Sequence, residues 1–339
     1  MADSTRRGFV TGGTWCVDIN KVVSHWPQED GLAEYLGEER ANGGSGSNFA
    51  LDMRQLDPEM PLETIALVGD DSDGRFLMDV ADKARIDRTQ MHVTTAANTH
   101  YTDAFVSERS HRRTHIYFRG TSALLSPDHF DFGKVRARML HLGLPGVHRV
   151  MDGPWGDDAN GWVAVLKKSR AAGLQNNMEL ASVGSEAISR IVSPCLPFLD
   201  TLVVNDVEIG ALSDLVTSPD GVTDIAASER AARIVLDKGV KDLVVVHSPV
   251  IAIAVAHGKP TVFKRSVNIP SDQVASANGA GDAFAAGMMF GYHEGWEVER
   301  CLELAHASAA CSLRSLATTG AIEPWQECLA LANRWGWRS

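Results

Sequence analysis

The chain has 339 residues, 44% of them hydrophobic, and a formal net charge of −11. That apolar fraction supplies a sizeable core and argues against low-complexity disorder. The acidic balance argues against non-specific nucleic-acid binding, which needs a basic surface. Five cysteines (Cys16, Cys195, Cys301, Cys311 and Cys328) with no C-x-x-C pair speak against a disulfide framework or structural zinc, and suit a reducing cytoplasm. The polar start, Met1 to Arg7, lacks a signal-peptide core, and no stretch approaches the roughly 20 apolar residues of a membrane span.

In chain order, residues 9–13 read as a strand entering a glycine turn, and 15–23 as a second short β run. Gly43-Gly44-Ser45-Gly46-Ser47-Asn48 reads as a tight turn, followed by a short helix with Ala50, Leu51, Met53 and Leu56 on one face. Residues 64–68 form an apolar strand, and 74–85 a helix burying Phe76, Leu77, Val80, Ala81 and Ala84. The segment 91–120, rich in Thr, His and Arg, is expected to form antiparallel strands outside the main pattern. From Arg138 onward strands are expected near 139–142, 177–181, 201–204, 243–246 and 251–256. Helices are expected at 159–172, 186–199, 207–215, 225–238, 280–294 and 297–316. This alternation predicts a mostly parallel sheet with helices on both faces, and ligands beyond the carboxyl ends of its strands. No internal repeat or flexible linker divides the chain.

Three strings carry candidate chemistry. In Ser276-Ala277-Asn278-Gly279-Ala280-Gly281-Asp282, small residues stand where a helix begins. They let a ligand approach the backbone, and the unpaired first-turn N–H groups and helix dipole favour an anion. Phosphoryl transfer needs positioning and charge stabilisation more than covalent help. The N–H groups of Ala280, Gly281 and Asp282 could hold a moving γ-phosphoryl while Asp282 takes the acceptor hydroxyl's proton. A carboxylate in the first turn is equally an ordinary helix stabiliser. In Asn205-Asp206-Val207-Glu208, the oxygen ligands suit Mg²⁺ shared with phosphates, or else cap a helix. Asp18, Gly43, Gly44 and Asn48 could orient sugar hydroxyls, or form a glycine turn with a capping Asn.

Together these strings resemble the ribokinase-like, PfkB-type carbohydrate kinases, over residues 9 to about 331. The N-terminal signature is similar to Gly43 to Ala50 followed by Leu67-Val68-Gly69-Asp70-Asp71-Ser72-Asp73-Gly74. The C-terminal signature resembles Asn278 to Gly287, and Asn205 to Glu208 resembles the family's Asn-x-x-Glu. The resemblance implies a single α/β domain, 1–339, with a small β-strand lid from about 15–38 and 91–120. It implies transfer of the ATP γ-phosphate to an alcohol of a sugar, or of a nucleoside in the nearest alternative. Carried over by position, it makes Asp282 the base and Gly279, Ala280 and Gly281 the anion hole. It puts Asn205 and Glu208 near Mg²⁺, with Asn205 and Asn278 on the ATP side, and Asp18, Gly43, Gly44 and Asn48 on the acceptor.

The chain departs from the pattern in two places. Ser276-Ala277 stands for the family's Asp-Thr, a neutral substitution that weakens the case for an activating monovalent cation such as K⁺. His247-Ser248-Pro249 stands where Thr-Leu-Gly is common; His247 and Ser248 are phosphate-side candidates, or a turn packed before Pro249. Asn177 and Glu179 share a strand face and are further candidates. The basic run from Arg109 to Arg113 could hold a phosphate already on the acceptor, or be a solvated hairpin tip. Trp15, Trp26, Trp155 and Trp162 could stack on a ligand or pack in the core. A catalytically weak sugar sensor is a second alternative, and a dinucleotide oxidoreductase lacks its G-x-G-x-x-G. A homodimer through the exposed lid strands is expected, with no nucleic-acid or membrane partner.

Overall fold

A computed structural model describes residues 6–110, 113–181, 183–315 and 317–339. In chain order the strands are β1 (Phe9–Gly13), β2 (Cys16–Val23), β3 (Tyr35–Gly43), β4 (Leu62–Gly69), β5 (Asp87–Thr94), β6 (Tyr101–Ser107) and β7 (Arg113–Phe118). Then come β8 (Met139–Gly143), β9 (Gln175–Met178), β10 (Thr201–Asn205), β11 (Leu243–His247), β12 (Ile251–Val255) and β13 (Val262–Arg265). The helices are α1 (Ser45–Leu56), α2 (Ser72–Lys83), α3 (Gly161–Ala171), α4 (Ser185–Val192), α5 (Asp206–Ser213), α6 (Ile225–Asp237), α7 (Ala280–His293), α8 (Val298–Ser312) and α9 (Trp325–Trp335).

The large sheet runs β13-β12-β11-β10-β9-β8-β1-β4-β5 and the small one β3-β2-β6-β7. From β5 to β11 neighbours are parallel; β12 and β13 turn back antiparallel at one edge. The chain leaves β1 toward β4 and β5, then returns on the other side through β8. That reversal opens a crevice at the carboxyl ends of β1 and β8, where ligands of open α/β sheets bind. Because β2 starts three residues after β1, the small sheet grows out of this same crevice.

Alternating side chains feed two cores. Phe9, Val203 and Val245 pack on one face with α1, α2, α7, α8 and α9, whereas Val10, Val204 and Val246 pack on the other with α3 to α6. Trp162 is fully buried in the second core; truncation to Ala would cost about 3–5 kcal/mol. Trp15 is also buried, whereas Trp26 is 48% exposed. The five cysteines are buried free thiols. Among the described residues no helix is long and apolar enough to cross a membrane.

Several boundaries differ from expectation. The glycine string contributes only Gly43 and Gly44 to the turn, because α1 already starts at Ser45. Residues 87–94 pair in parallel with β4 in the large sheet, so the second small-sheet segment narrows from 91–120 to β6 and β7. The first segment extends beyond 38 through β3 to Gly43, and β2 pairs with β6 in parallel, making the small sheet mixed. Strand β9 stops at Met178, leaving Glu179 in the following loop. Helix α4 stops at Val192, where Pro194 and Pro197 impose a 3₁₀ stretch over Ser193–Phe198. Strands β3 and β13 and helix α9 were not legible as elements, and the expected end at Leu316 lies outside the described residues.

Candidate active site

The start of α7 is held from behind. Gly279 precedes the helix at φ 74, and a Cβ there would stand 2.3 Å from the Thr318 carbonyl oxygen, so only glycine fits both the conformation and the space. Asn278 Nδ2 donates to Thr318 Oγ1 at 2.8 Å, its backbone N–H donates to Ser276 Oγ at 3.1 Å, and Ala275 N–H donates to the Leu313 carbonyl at 2.8 Å. The side chain of Asn278 therefore anchors the loop. On the open side, the nearest atom to a Cβ built at Gly281 is His247 Cε1, 3.7 Å away. The first-turn N–H groups of Ala280, Gly281 and Asp282 have no intrahelical acceptor, an arrangement suited to an anion.

Asp282 is the meeting point of four elements. Asn48, in the first turn of α1, donates from Nδ2 to Asp282 Oδ2 at 3.1 Å, and its own Oδ1 accepts from Asn42 Nδ2 at 3.1 Å. Glu179, just past β9, shares a carboxyl–carboxyl hydrogen bond with Asp282. Behind it, His141 Nε2 lies 2.9 Å from Glu179 Oε2, and His141 Nδ1 lies 2.8 Å from Asn177 Oδ1. Asn177 Nδ2 donates onward to Thr201 Oγ1 at 3.0 Å. Burial, then the negative charge of Glu179, pushes the Asp282 carboxyl well above the ordinary carboxylate range. Burial raises Glu179 to about 7 and lowers His141 to about 4, so the imidazole is neutral. Two facing carboxyls in a dry site cannot both ionise cheaply, which favours the protonated form of one of them.

The small sheet brings Asp18 to the same crevice. A Cβ at Gly43 would stand 2.3 Å from the Asp18 carboxyl, so that glycine clears the space the carboxyl occupies. Gly44 lies at the N-terminus of α1, its carbonyl accepting from Asn48 N–H at 2.9 Å. Burial, with the nearby Asp282 charge adding, raises Asp18 to about 7.

The remaining expected residues divide. Asn205 Oδ1 accepts from the N–H groups of Val207 (3.0 Å) and Glu208 (2.8 Å), and Glu208 Oε2 accepts from Asn205 N–H at 2.9 Å. This is a capping box at the start of α5, with Glu208 buried and raised to about 7 by desolvation. His247 stacks on Phe284 with ring centroids 4.8 Å apart, and burial lowers it to about 4. The hydroxyl of Ser248, by contrast, is consumed in the β11–β12 turn, bonding the Ile251 carbonyl at 3.0 Å. The oxygen donors Asn205 and Glu208 suit Mg²⁺, but among the described residues no three His, Cys, Asp or Glu side chains are grouped to hold a metal by themselves. A metal there would need phosphate and water oxygens to complete its shell, as Mg²⁺ ordinarily does.

Sequence reasoning missed His141 and Asp52 and left Glu179 and Arg113 undecided. The carboxyl of Asp52, one turn after Asn48, is fully buried and has no hydrogen-bond partner among the described residues for either oxygen. Nothing in the local string around His141 marks it, since its partners come from the next strand. Of the basic run, Arg113 points into the crevice, whereas His111 and Arg112 lie outside the described residues.

Residues 13–326 match the family model of the pfkB family carbohydrate kinases. A curated relative, an ATP-dependent ribose-1-phosphate kinase of Halopiger xanaduensis, is 26% identical over 86% of this chain and 87% of its own. The adenosine kinase of Saccharomyces cerevisiae is 26% identical over 81% and 78%. Among solved structures, ribokinase from Arabidopsis thaliana, determined with ribose and ATP, superposes with a TM-score of 0.77 at 20% identity, covering 96% of this chain and 99% of that one. Ribokinase from Thermotoga maritima gives a TM-score of 0.77 at 19% identity with the same coverage. The fold is therefore the ribokinase fold, and the chain is an enzyme that belongs to the pfkB family of carbohydrate kinases.

Proposed function

We propose that the protein transfers the γ-phosphate of ATP to an alcohol group of a sugar, with Asp282 as general base. The observation that carries this reading is the convergence on Asp282: its carboxyl stands in the first turn of α7 beside the open N–H groups, and Asn48 orients it from α1. Asp18, Asn48 and the backbone at Gly43 and Gly44 hold the acceptor. The proton leaves the hydroxyl for Asp282 as the N–H groups of Gly279, Ala280 and Gly281 and of Asp282 itself stabilise the transferring group. ATP binds toward Asn205 and His247, with Asn278 fixing the loop; Ser248 is left out, because its N–H and its hydroxyl both bond the Ile251 carbonyl. Asn205 and Glu208 would help hold Mg²⁺, which when bound would neutralise charge on the phosphate oxygens. The small sheet acts as a lid whose closure excludes water. Its outer face exposes Ile116 (55%) and Phe118 (43%), which suits pairing of two copies through the lid.

The S. cerevisiae relative motivates a nucleoside acceptor as second reading, and the Halopiger relative a sugar phosphate. The test of the base is Asp282→Asn. Turnover is expected to fall about 10²–10⁴-fold while ATP affinity, read by calorimetry, stays within a factor of two. An Asn variant that retains turnover sinks the assignment.

A further inference from the structure

We infer that the acceptor carries an anionic substituent, a phosphate ester or a carboxylate, and that Arg113 of the small sheet holds it. This deepens the kinase reading above and rests on it.

The register of the small sheet decides which side chains face the crevice. Asp18 pairs with Ala41 and Thr102, and Thr102 with Tyr117; Asn20 pairs with Glu39 and Ala104, and Ala104 with His115. Two residues further, Val22 pairs with Gly37 and Val106, and Val106 with Arg113. Side chains alternate along a strand, so these three rows share one face with Asp18. Arg113 is therefore the cation of the ligand side, not a residue of the solvated tip.

That guanidinium borders a cavity of about 630 Å³, walled by Asn20, Val22, Val106, Arg113, Ser276 and Asn278. The wall formed by Ser276 and Asn278 runs directly into the start of α7, so the cavity abuts the transfer site. Among the described residues, Arg113 Nη1 is shielded from solvent and has no hydrogen-bond partner, and Nη2 reaches only the neutral Ser276 Oγ at 3.4 Å. Among the described residues no carboxylate lies within ion-pair distance of it; Asp18 acts on it through its charge alone. Glu38 and Glu39 also border the cavity but are exposed at its rim. A half-buried guanidinium that no carboxylate contacts is poorly compensated, and its planar fork matches a carboxylate or phosphate. A neutral sugar or a purine base would leave it without a bonded anion. With a hydroxyl at Asp18 and an anionic group at Arg113, a small phosphorylated or acidic sugar satisfies both ends.

The test is calorimetric titration of the full-length Asp282→Asn protein in the absence of ATP, so that no transfer can occur, with a pentose, its 1- and 5-phosphates, the corresponding aldonic acid, and adenosine. An anionic member is expected to bind about 10–100-fold more tightly than the neutral pentose, and whether it is a phosphate or the aldonic acid identifies the group. Adding Arg113→Met should erase that margin, Arg113→Lys should restore part of it, and ATP affinity should stay within a factor of two. Equal binding of the neutral sugar or tighter binding of adenosine overturns the inference, as does an Arg113→Met effect on ATP instead of the acceptor. Wild-type turnover separates the two readings. Turnover of neutral sugars without anion preference spares the kinase reading and sinks this one. Tight anion binding without turnover of any acceptor does the reverse.

Discussion

The transfer side of the site and the acceptor side are built from different materials. The transfer side hangs on backbone: the N–H groups at the start of α7, the positive-φ turn at Gly279 and the capping box of Asn205 and Glu208. The acceptor side hangs on side chains of an open four-stranded sheet, where Asp18, Asn20 and Arg113 stand in successive alternate rows of one face. Backbone geometry tolerates few substitutions, so it leaves recognisable strings of glycine and small residues. A sheet face accepts many side chains at the same register, so its chemistry can change while the fold stays. On the proposed reading, the difference teaches that phosphate chemistry rests on the main chain and the choice of substrate on a handful of strand positions.

The comparison can be broken on the transfer side first. Gly279→Ala would place a Cβ 2.3 Å from the Thr318 carbonyl and in a strained φ, forcing the start of α7 to move. A displacement near 1 Å costs on the order of 100-fold. The expected result is a loss of that size in kcat/KM for every acceptor, with thermal stability measured alongside. A loss confined to one acceptor would contradict a backbone origin.

A smaller effect should come from the carboxyl pair. Burial first, and then Glu179 by charge and hydrogen bond, raises the Asp282 carboxyl above its usual range. The base works ionised, so kcat/KM should fall as pH drops through that raised value, giving an acid limb above the ordinary carboxylate range. The groups facing Asp282 are Glu179, His141 and Asn48, with Asp18, Asp52 and Glu208 acting through their charges. Glu179→Gln removes the largest of these like charges, so the acid limb should move to lower pH. A limb that stays in place would show that Glu179 is only a structural neighbour.

The smallest effect concerns stability. Asp52 is fully buried, and burial, followed by the Asp282 charge, raises its carboxyl well above the unfolded value. A group raised in this way favours the folded state most when protonated, below its unfolded value, and loses that contribution as pH rises. Asp52→Asn should therefore stabilise the protein by about 1–3 kcal/mol at pH 8, with less gain at pH 5, in denaturant titrations at both values. A destabilised Asn variant would mean that the ionised carboxyl has an unseen counter-charge.

These elements also mark how far the sequence was legible. The strand–helix alternation from Arg138 onward, the helix start after Gly279 and the Asn205–Glu208 pair were readable because each is a local pattern. The chain could not reveal that residues 87–94 join the large sheet, since a strand's choice of neighbour is a long-range matter. His141 and Glu179 become partners only when β8 and β9 lie side by side, and Glu179 meets Asp282 only once α7 starts above them. Arg113 stood in a charged run whose ordinary fate is solvation, and its direction followed from three successive strand pairings. Ser248 was readable as polar at a strand end, but the antiparallel return into β12 claimed its hydroxyl.

The most direct test of the central claim is ATP consumption by the wild-type protein with and without acceptor, with ADP and phosphorylated product both quantified. Phosphotransfer to a sugar alcohol predicts slow ATP use alone, acceleration by a sugar or sugar phosphate, and one phosphorylated acceptor per ADP. ATP use that no acceptor accelerates across sugars, sugar phosphates and nucleosides would contradict it.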